Sequence, residues 1–378
     1  MKKLILSILL ISFISPSVFA SALDLGYARD DGGQAGAFLS WGAGARSLGM
    51  GRAFVALADD ASAPYWNPAG LTQLRRKEIT SLYASLWENT GYSFISYGHP
   101  TDKLISFGFS LVNLHSTNFE ETDRLGYVTG RTSLSETALL VSMSYPVKIG
   151  FYGGLTLKFI QQKIGSYSDN DTGLDIGVLY KFGEIYKNKF LQGLSAGLNL
   201  RNVIAPQINL KDERDVYPLD LNGGLAYKLF NDALTLAVDW EKIAGRSLSC
   251  RYGTEYLLNE FLALRLGINE NELGGGVGLK WKDFQFDYAL GYHNAIKGLD
   301  DLGLSHRFNF SMRFGREFST VEELKRRMLA QYYRKGIKYL QTGEQARAIL
   351  EFNKILKIDP LYKDTLEKME QASKQLQN

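Results

Sequence analysis

The middle of the chain alternates apolar and polar residues with a period of two. Stretches such as 104–113, 135–145 and 284–293 carry aromatic or aliphatic side chains at every second position, with small, polar or charged residues between them. Side chains of a β-strand point alternately to its two faces, so this period predicts strands with one apolar and one polar face. The pattern holds from about residue 79 to residue 314.

A soluble β-sandwich would show the same alternation, but three features favour a transmembrane barrel. The segments run to about ten residues, the length that a tilted membrane strand needs. Their polar face carries many full charges, as a polar lumen does: Lys158, Asp175, Arg201, Asp239, Arg251, Glu255, Arg265, Asp287 and Arg313. Aromatic residues stand at segment ends, as in interfacial girdles: Tyr145, Phe182, Trp240, Tyr256, Trp281 and Tyr292.

The pattern predicts about fourteen strands, joined by connections of alternating length. The strands lie near 79–87, 92–98, 104–113, 135–145, 151–163, 171–182, 194–202, 218–229, 233–241, 247–258, 261–269, 274–281, 284–293 and 305–314. Short connections such as 259–260 alternate with longer ones such as 114–134, as periplasmic turns and extracellular loops do in outer-membrane barrels. We therefore expect an all-β transmembrane barrel at 77–315 in the bacterial outer membrane, with both termini periplasmic.

The N-terminus has the composition of an export signal. Two lysines precede an apolar run at 4–14, and small residues lead up to Ala20 and Ala22. This is the pattern of a secretory signal peptide, predicted at 1–22.

The C-terminus changes to helical spacing after Phe314. Residues 316–378 are rich in Glu, Lys, Leu and Gln and predict three helices over 320–377, in a periplasmic tail. Thr320 and Glu323 form a capping-box pattern, Gly343 is expected to end the first helix, and Pro360 to separate the second from the third.

Composition and charge exclude several classes of function. A net charge of +3 without a Lys/Arg-rich stripe gives no reason to expect nucleic acid. Cys250 is the only cysteine, so no intramolecular disulfide can form. The four histidines lack metal-ligand spacing, and no GxSxG elbow occurs. We therefore expect no catalytic residues, no metal and no cofactor, and a protein that is not an enzyme.

The segment before the first strand, 23–76, is predicted to be a plug or hatch in the lumen. Its glycines permit tight turns, and the apolar run 54–57 needs a surface that a barrel interior supplies. Asp59 and Asp60 are expected to cap a turn or meet a lumen arginine, with cation binding as the weaker alternative. The predicted motif residues are Gly49, Gly51, Arg52, Asp59, Asp60, Asn67, Pro68, Ala69 and Gly70.

The same stretch, GMGRAFVALADDASAPYWNPAGL at 49–71, resembles the N-terminal segment of two related groups. These are the FadL-like long-chain fatty-acid transporters and the PorV/PorQ outer-membrane proteins. The fuller pattern, which begins at 45–51 and ends in YWNPAGL, is closer to PorV/PorQ. The resemblance implies a fourteen-stranded barrel, in agreement with the count made above.

The tail resembles one tetratricopeptide repeat followed by a further helix. The matching positions are Tyr332, Gly336, Tyr339, Ala348, Phe352 and Pro360, whereas Lys335 replaces the usual leucine. Small residues at Gly336 and Ala348 would let two antiparallel helices approach. A single repeat cannot bury its apolar face alone, so the tail is expected to pack under the barrel or to dock onto a partner.

The PorV/PorQ resemblance implies a role in protein secretion or surface delivery of the type IX kind, with a periplasmic or secretion-machinery partner on the tail. The alternative is FadL-like uptake of a hydrophobic small molecule held in the lumen. Uptake needs an apolar pocket near the plug and a lateral gap in the wall, for which Gly153–Gly154, Gly223–Gly224 and Gly274–Gly276 are candidates. A third alternative is an open porin. Each of these proteins would be surrounded by outer-membrane lipid.

Overall fold

The computed structural model describes residues 35–86, 89–101, 105–186, 188, 190–211, 213–292, 304–319 and 321–377. The predicted signal peptide lies outside them, as does the start of the predicted plug. Fourteen strands form the wall of the molecule: β1 Lys77–Ser85, β2 Thr90–Pro100, β3 Ser106–Thr122, β4 Val128–Lys148, β5 Phe151–Ile164, β6 Tyr167–Lys181, β7 Leu194–Ile204, β10 Asp220–Leu229, β11 Leu234–Ile243, β12 Ser249–Leu257, β13 Leu262–Ile268, β14 Leu273–Trp281, β15 Phe284–Tyr292 and β16 Leu304–Phe314. A two-stranded hairpin in one connection consists of β8 Gln207–Ile208 and β9 Asp215–Val216.

The fourteen wall strands close into a single antiparallel barrel. Each strand pairs with its neighbour in the chain, and β1 closes the ring against β16, from Lys77 opposite Phe314 to Ser85 opposite His306. The predicted closed barrel of fourteen strands is therefore confirmed. We call the end with Lys77 and Phe314 the termini end, and the opposite end the loop end.

The two faces of the wall follow the alternation of the sequence. Apolar and aromatic side chains point outward and are exposed, among them Leu139, Leu155 and Phe308. The charged positions point inward, and most are buried, as Asp239 and Arg265 are. An apolar exterior lets the wall face lipid, whereas closure pairs the backbone groups that an open sheet edge would leave unpaired.

One predicted loop is largely sheet. Residues 114–134 were expected to form a long loop, but β3 and β4 continue to Thr122 and Val128 and leave only a short turn. The ladder shifts register after Ser116, where Asn118 adopts a left-handed backbone (φ 66°), and again before Thr122. The apolar alternation stops where the hairpin extends past the wall and both faces are exposed, so the period could not reveal these strands.

The residues from Glu317 onward form a second compact unit of three helices. They are α3 Val321–Gln341, α4 Gln345–Ile358 and α5 Thr365–Gln377, numbered after the two short helices described below. Three C-terminal helices were predicted, and this part of the fold is confirmed. No helix in the described part of the chain is long and apolar enough to cross a membrane.

The tail buries its apolar residues in a core of its own. Ala348 and Phe352 of α4 are fully buried, and a Cβ placed on Gly336 of α3 would lie 2.5 Å from the ring of Phe352. Tyr332 and Tyr339 are partly buried against the same core. Gly336 thus brings α3 and α4 together.

The third helix completes this core. Ala372 and Met369 of α5 pack with the α3 and α4 residues, so the apolar face is covered within the tail itself. Pro360, predicted to belong to the packing, is exposed in the turn after α4. Its ring cannot continue a helix, and it ends α4 rather than filling the core. The tetratricopeptide resemblance stays a prediction.

Candidate functional site

Residues 35–74, which we call the lumen segment, lie inside the barrel. They form a 3-10 turn at Ala37–Ser40, the helices α1 Ala45–Gly49 and α2 Ala63–Trp66, and a second 3-10 turn at Pro68–Gln73. Their apolar side chains are almost completely buried: Phe38, Leu48, Met50, Phe54, Val55, Ala56, Leu57, Trp66 and Leu71. The barrel interior supplies the surface that the apolar run 54–57 needs.

Wall glycines let the backbone of the lumen segment touch the barrel wall. A Cβ added at Gly154 would lie 2.3 Å from the amide nitrogen of Ala69, and one at Gly267 would lie 2.1 Å from that of Gly51. Such distances leave no room for any side chain. We give the name glycine seat to all wall glycines whose added Cβ would lie within 3.4 Å of the lumen segment, at a backbone or a side-chain atom: Gly98, Gly108, Gly154, Gly177, Gly197, Gly224, Gly253, Gly267, Gly274 and Gly276.

This arrangement corrects the expected lateral gap. At Gly153–Gly154, Gly223–Gly224 and Gly274–Gly276 the strands pair on both sides without a shift in register. Gly154, Gly224, Gly274 and Gly276 face the lumen segment instead. An added Cβ would meet its backbone at 2.3 Å from Gly154 and 2.8 Å from Gly274, and at 3.3–3.4 Å from the other two. The glycines expected to open the wall therefore serve as part of the seat.

The ladder is interrupted elsewhere, between β6 and β7. Its register shifts between Leu174 and Ile176, where Asn202 has a left-handed backbone (φ 58°). Asp175 accepts a hydrogen bond from the Asn202 amide and pairs with Lys158 at 2.7 Å. Side chains therefore bridge the interruption on the lumen side.

Asn67 joins the lumen segment to itself and to the wall. Its side-chain amide donates to the carbonyl oxygens of Val55 and, on β6, Val178, at 3.0 and 2.9 Å. Its side-chain oxygen accepts from the amide of Ala69 and caps the turn that begins at Pro68. This position therefore needs a short side chain with both a donor and an acceptor.

Arg46 is the centre of an ion-pair cluster on the termini side of the lumen. Its guanidinium contacts Asp59 at 2.5 Å and Asp60 at 3.3 Å within the lumen segment, and Glu255 on β12 at 2.8 Å. Lys228 on β10 also pairs with Asp59, at 2.9 Å. Burial alone would raise the pKa of the Asp59 carboxyl, but Arg46 and Lys228 outweigh it and hold that pKa well below its usual range.

A second cluster holds Arg52. This residue has a left-handed backbone (φ 68°), donates to the carbonyl of Ser40 and pairs with Glu272 at 3.2 Å. Arg307 on β16 pairs with the same carboxylate, which is fully buried. Two cations from different parts of the chain thus share one carboxylate between β13 and β14.

Two glycines of the predicted motif are required by the backbone, one by its conformation and one by a close contact. Gly51 has a φ of 61°, in the left-handed region that favours glycine. A Cβ on Gly70 would lie 2.1 Å from the carbonyl oxygen of Ala58, within the lumen segment. The lumen segment therefore depends on these glycines for its own folding as well as for its fit to the wall.

The inner wall differs on its two sides. On β1–β5, toward the loop end, most inward side chains are apolar and form one buried cluster, which we call the apolar arc: Leu82, Ala84, Tyr92, Phe94, Val112, Leu114, Ala138, Leu140 and Ile160. The inward positions of β10–β16 instead carry buried charges, including Asp239, Arg251, Arg265 and Arg307. The interior therefore offers an apolar surface to one side of the lumen segment and a charged surface to the other.

The connection after β7 covers the apolar arc from the loop end. Ile208 and Tyr217 of this connection are buried and join the same cluster as Phe38. A Cβ on Gly36 would lie 2.3 Å from the ring of Tyr217, and the buried Tyr217 hydroxyl has no hydrogen-bond partner among the described residues. The apolar pocket expected near the plug is thus filled by the protein's own side chains.

A polar cavity of about 420 Å³ opens below the lumen segment, toward the termini end. Arg46 and Asp59 line it from the lumen segment, and Lys228, Glu255 and Lys280 from the wall. The described residues hold no group of three or more His, Cys, Asp or Glu side chains arranged to bind a metal. The Asp59 and Asp60 carboxylates contact Arg46, as the first of the two sequence interpretations expected.

Sequence reasoning missed several residues that hold the lumen segment. Asp239 accepts hydrogen bonds from the amides of Phe54 and Val55 at 2.6 and 2.8 Å. Arg201 stacks over the ring of Tyr65 and donates to that residue's carbonyl. The available signal was a row of charges on the inward face of the strands. Alternation identifies such a row, but it does not tell which part of the chain each charge meets.

Comparisons with known proteins agree with the fold. Residues 20–201 match the model of a family described as Uncharacterised protein family (UPF0164), so the chain is similar to that family over this range. A search of curated proteins found no match.

Several solved structures have the same fold. The toluene transporter TbuX from Ralstonia pickettii is 15% identical, with a TM-score of 0.53 over 72% of this chain and 99% of that one. The monoaromatic hydrocarbon channel CymD is 11% identical, with a TM-score of 0.56 over 73% and 98%. A Pseudomonas aeruginosa FadL homologue is 11% identical, with a TM-score of 0.50 over 72% and 98%. The chain therefore shares its barrel fold with these FadL-like structures.

The glycine seat gives a first prediction. Gly154→Ala places a methyl group against the backbone at Ala69, so the lumen segment must shift, at a cost of about 2 kcal/mol. The matched control is Gly153→Ala, which points outward and meets only Val147 at 3.4 Å. Thermal unfolding followed by heat-modifiable gel mobility would compare the two. Equal stability of both variants would contradict the seat.

The Arg46 cluster gives a second prediction. Arg46→Gln leaves three carboxylates of this cluster without their shared cation, and we expect a loss of about 3 kcal/mol in the free energy of unfolding. The control is Arg76→Gln, which removes a more exposed pair with Asp283 and should cost under about 1 kcal/mol. Urea unfolding in one detergent gives both values. If the control variant lost as much stability, the cluster would have no special role.

Proposed function

We propose that the chain is a non-enzymatic outer-membrane barrel that passes a hydrophobic small molecule, with the lumen segment as its gate and both termini in the periplasm. The observation that carries the proposal is the apolar arc. A water-filled pore is lined by polar side chains, whereas here the apolar arc forms a continuous buried apolar surface on one side of the lumen. Such a surface favours an apolar solute over water and ions.

The charged side of the lumen can keep the lumen segment in place while its other side moves. Buried ion pairs hold their partners in one arrangement. Removing one partner is strongly destabilising because it leaves the other charge buried and unpaired. The clusters around Arg46 and Arg52 hold the lumen segment there, whereas against the apolar arc it packs through apolar contacts and one hydrogen bond, from the Tyr92 hydroxyl to the Gly42 carbonyl. An apolar molecule that displaces Phe38, Ile208 or Tyr217 would therefore replace one apolar contact with another.

The solved structures with this fold support the same class of function. TbuX is described as a toluene transporter and CymD as a monoaromatic hydrocarbon channel. We extend hydrophobic transport from them to this chain as a proposal. The glycines that were expected to form a lateral gap lie in continuous sheet, so the proposed passage does not run through them.

Shortening the residue that covers the apolar arc tests this function. We expect Tyr217→Ala to raise the initial uptake of labelled toluene or oleate by cells that express the chain, by about tenfold, because it removes the ring packed over Gly36. The control Tyr127→Ala removes an exposed tyrosine from the turn between β3 and β4 and should leave uptake unchanged.

Two results together would end the transport proposal. One is uptake equal in cells with and without the chain. The other is the absence of any co-purifying hydrophobic compound in mass spectra of the detergent-extracted protein. If lipid co-purifies but uptake does not change, the apolar arc binds a ligand without passing it.

The second candidate function is assistance in protein secretion or surface delivery, which the resemblance to PorV/PorQ proteins suggests. The specific observation in its favour is the filled lumen together with a separate helical unit that has its own core. A barrel that acts by presenting its loops and its tail to other proteins needs no passage.

An affinity pull-down with the intact chain and with a chain ending at Phe314 tests the secretion role. We expect a specific periplasmic or secretion-machinery protein with the intact chain, lost on truncation, if the tail recruits it. Identical sets of captured proteins, or a genome that carries the chain without a secretion core, would count against this function.

A further inference from the structure

Between residues 327 and 338, one face of α3 carries four cations and one amide. Arg327, Gln331, Arg334, Lys335 and Lys338 follow one another at intervals of four, three, one and three residues, which places them on one side of a helix. All five are exposed and line a shallow groove of about 450 Å³. We call this surface the basic face. The other side of α3 packs into the tail core through Leu329 and Gly336.

The cations of the basic face have no acidic partner in the described part of the chain. None of the four forms an ion pair there, whereas α4 pairs Arg347 with Glu344 and Lys354 with Glu351. Like charges on successive turns of a helix repel one another. The basic face therefore concentrates positive charge that the acidic side chains of the described residues do not pair with.

The side chains of the basic face suit a ligand whose negative charges are distributed over a surface. The groove is lined by long, flexible side chains along about 16 Å of helix, with no apolar or aromatic residue to anchor a particular peptide side chain. A layer of phosphate groups meets such a row without any need for a fixed shape.

The position of α3 in the chain places it near a surface of this kind. Only residues 315–320 separate the last strand of a membrane barrel from α3, and a stretch of this length spans at most about 25 Å. The chain therefore tethers the start of α3 within about 25 Å of the end of β16, which leaves an anionic membrane surface within reach of the tail.

We propose that the basic face of α3 binds the anionic phospholipid headgroups of the leaflet at the termini end of the barrel. Each cation near an anionic bilayer surface adds about fivefold to the binding equilibrium. Four together hold the tail on the membrane at moderate salt and release it when salt screens the charges.

The test uses the full chain in lipid nanodiscs. A fluorophore is placed at Gln331→Cys in a Cys250→Ser background, and its quenching by lipids with nitroxide-labelled headgroups is measured. Discs of phosphatidylcholine alone are compared with discs that also contain phosphatidylglycerol. We expect strong quenching only with phosphatidylglycerol, and its loss at high salt.

Charge variants identify the residues responsible. The triple change Arg334→Glu, Lys335→Glu and Lys338→Glu should weaken the tail's binding by at least about a hundredfold. The matched control reverses three lysines elsewhere in the tail, Lys357→Glu, Lys368→Glu and Lys374→Glu, and should retain most of the quenching. Replacing Arg334, Lys335 and Lys338 by Gln keeps helix propensity and should give an intermediate loss of quenching. This variant distinguishes loss of charge from unfolding of the tail.

Three outcomes would overturn the proposal. Quenching that does not depend on phosphatidylglycerol would mean that the tail is near the membrane for another reason. An equal loss in the control variant would point to net charge rather than to the basic face. Binding of poly-L-glutamate without any lipid effect would assign the face to an acidic protein partner instead.

Discussion

The structure depends on direct backbone contact between the lumen segment and the barrel wall. A closed barrel of fourteen strands encloses a space too wide for its own inward side chains to fill. The glycine seat removes side chains where the lumen segment passes, so that peptide groups such as those at Gly51 and Ala69 reach the wall. Without these glycines the segment could not enter, and its apolar residues would have no buried surface.

Once the backbone is seated, charge and hydrophobicity act on opposite sides of it. Arg46 and Arg52 bring cations from the lumen segment to wall carboxylates, and Asp239 supplies a carboxylate for backbone amides. On the other side, Phe38 rests against the apolar arc. Directional interactions therefore fix the position of the segment, while the apolar side tolerates exchange of one hydrophobic group for another.

Much of the wall could be predicted because a membrane barrel obeys a strict local rule. Each strand must alternate lipid-facing and lumen-facing residues, so Phe308 and Arg307 reveal which face of β16 points outward without any knowledge of its neighbours. The rule ends where the lipid ends. Past the wall both faces meet water and the alternation stops. The continuation of β3 and β4 there was therefore predicted to be a loop. The three tail helices were predictable for a similar reason, since their spacing and end signals are local.

The site could be predicted only as a list of residues. Gly49, Asn67 and Asp59 stood out in the sequence, but their partners Gly276, Val178 and Lys228 lie more than a hundred residues away. Glycine in a strand has two common explanations, a bend in the sheet or the close approach of another backbone. At Gly154 and Gly274 the sequence suggested the first, and the structure shows the second.

The sequence by itself determined the alternating strands, their number, the change to helices after Phe314 and the segment that must find an apolar surface, because each of these follows from the spacing of nearby residues. Only the tertiary structure decided what fills the lumen, which glycines receive it and which charges hold it. These depend on distances between residues far apart in the chain, which no local spacing encodes.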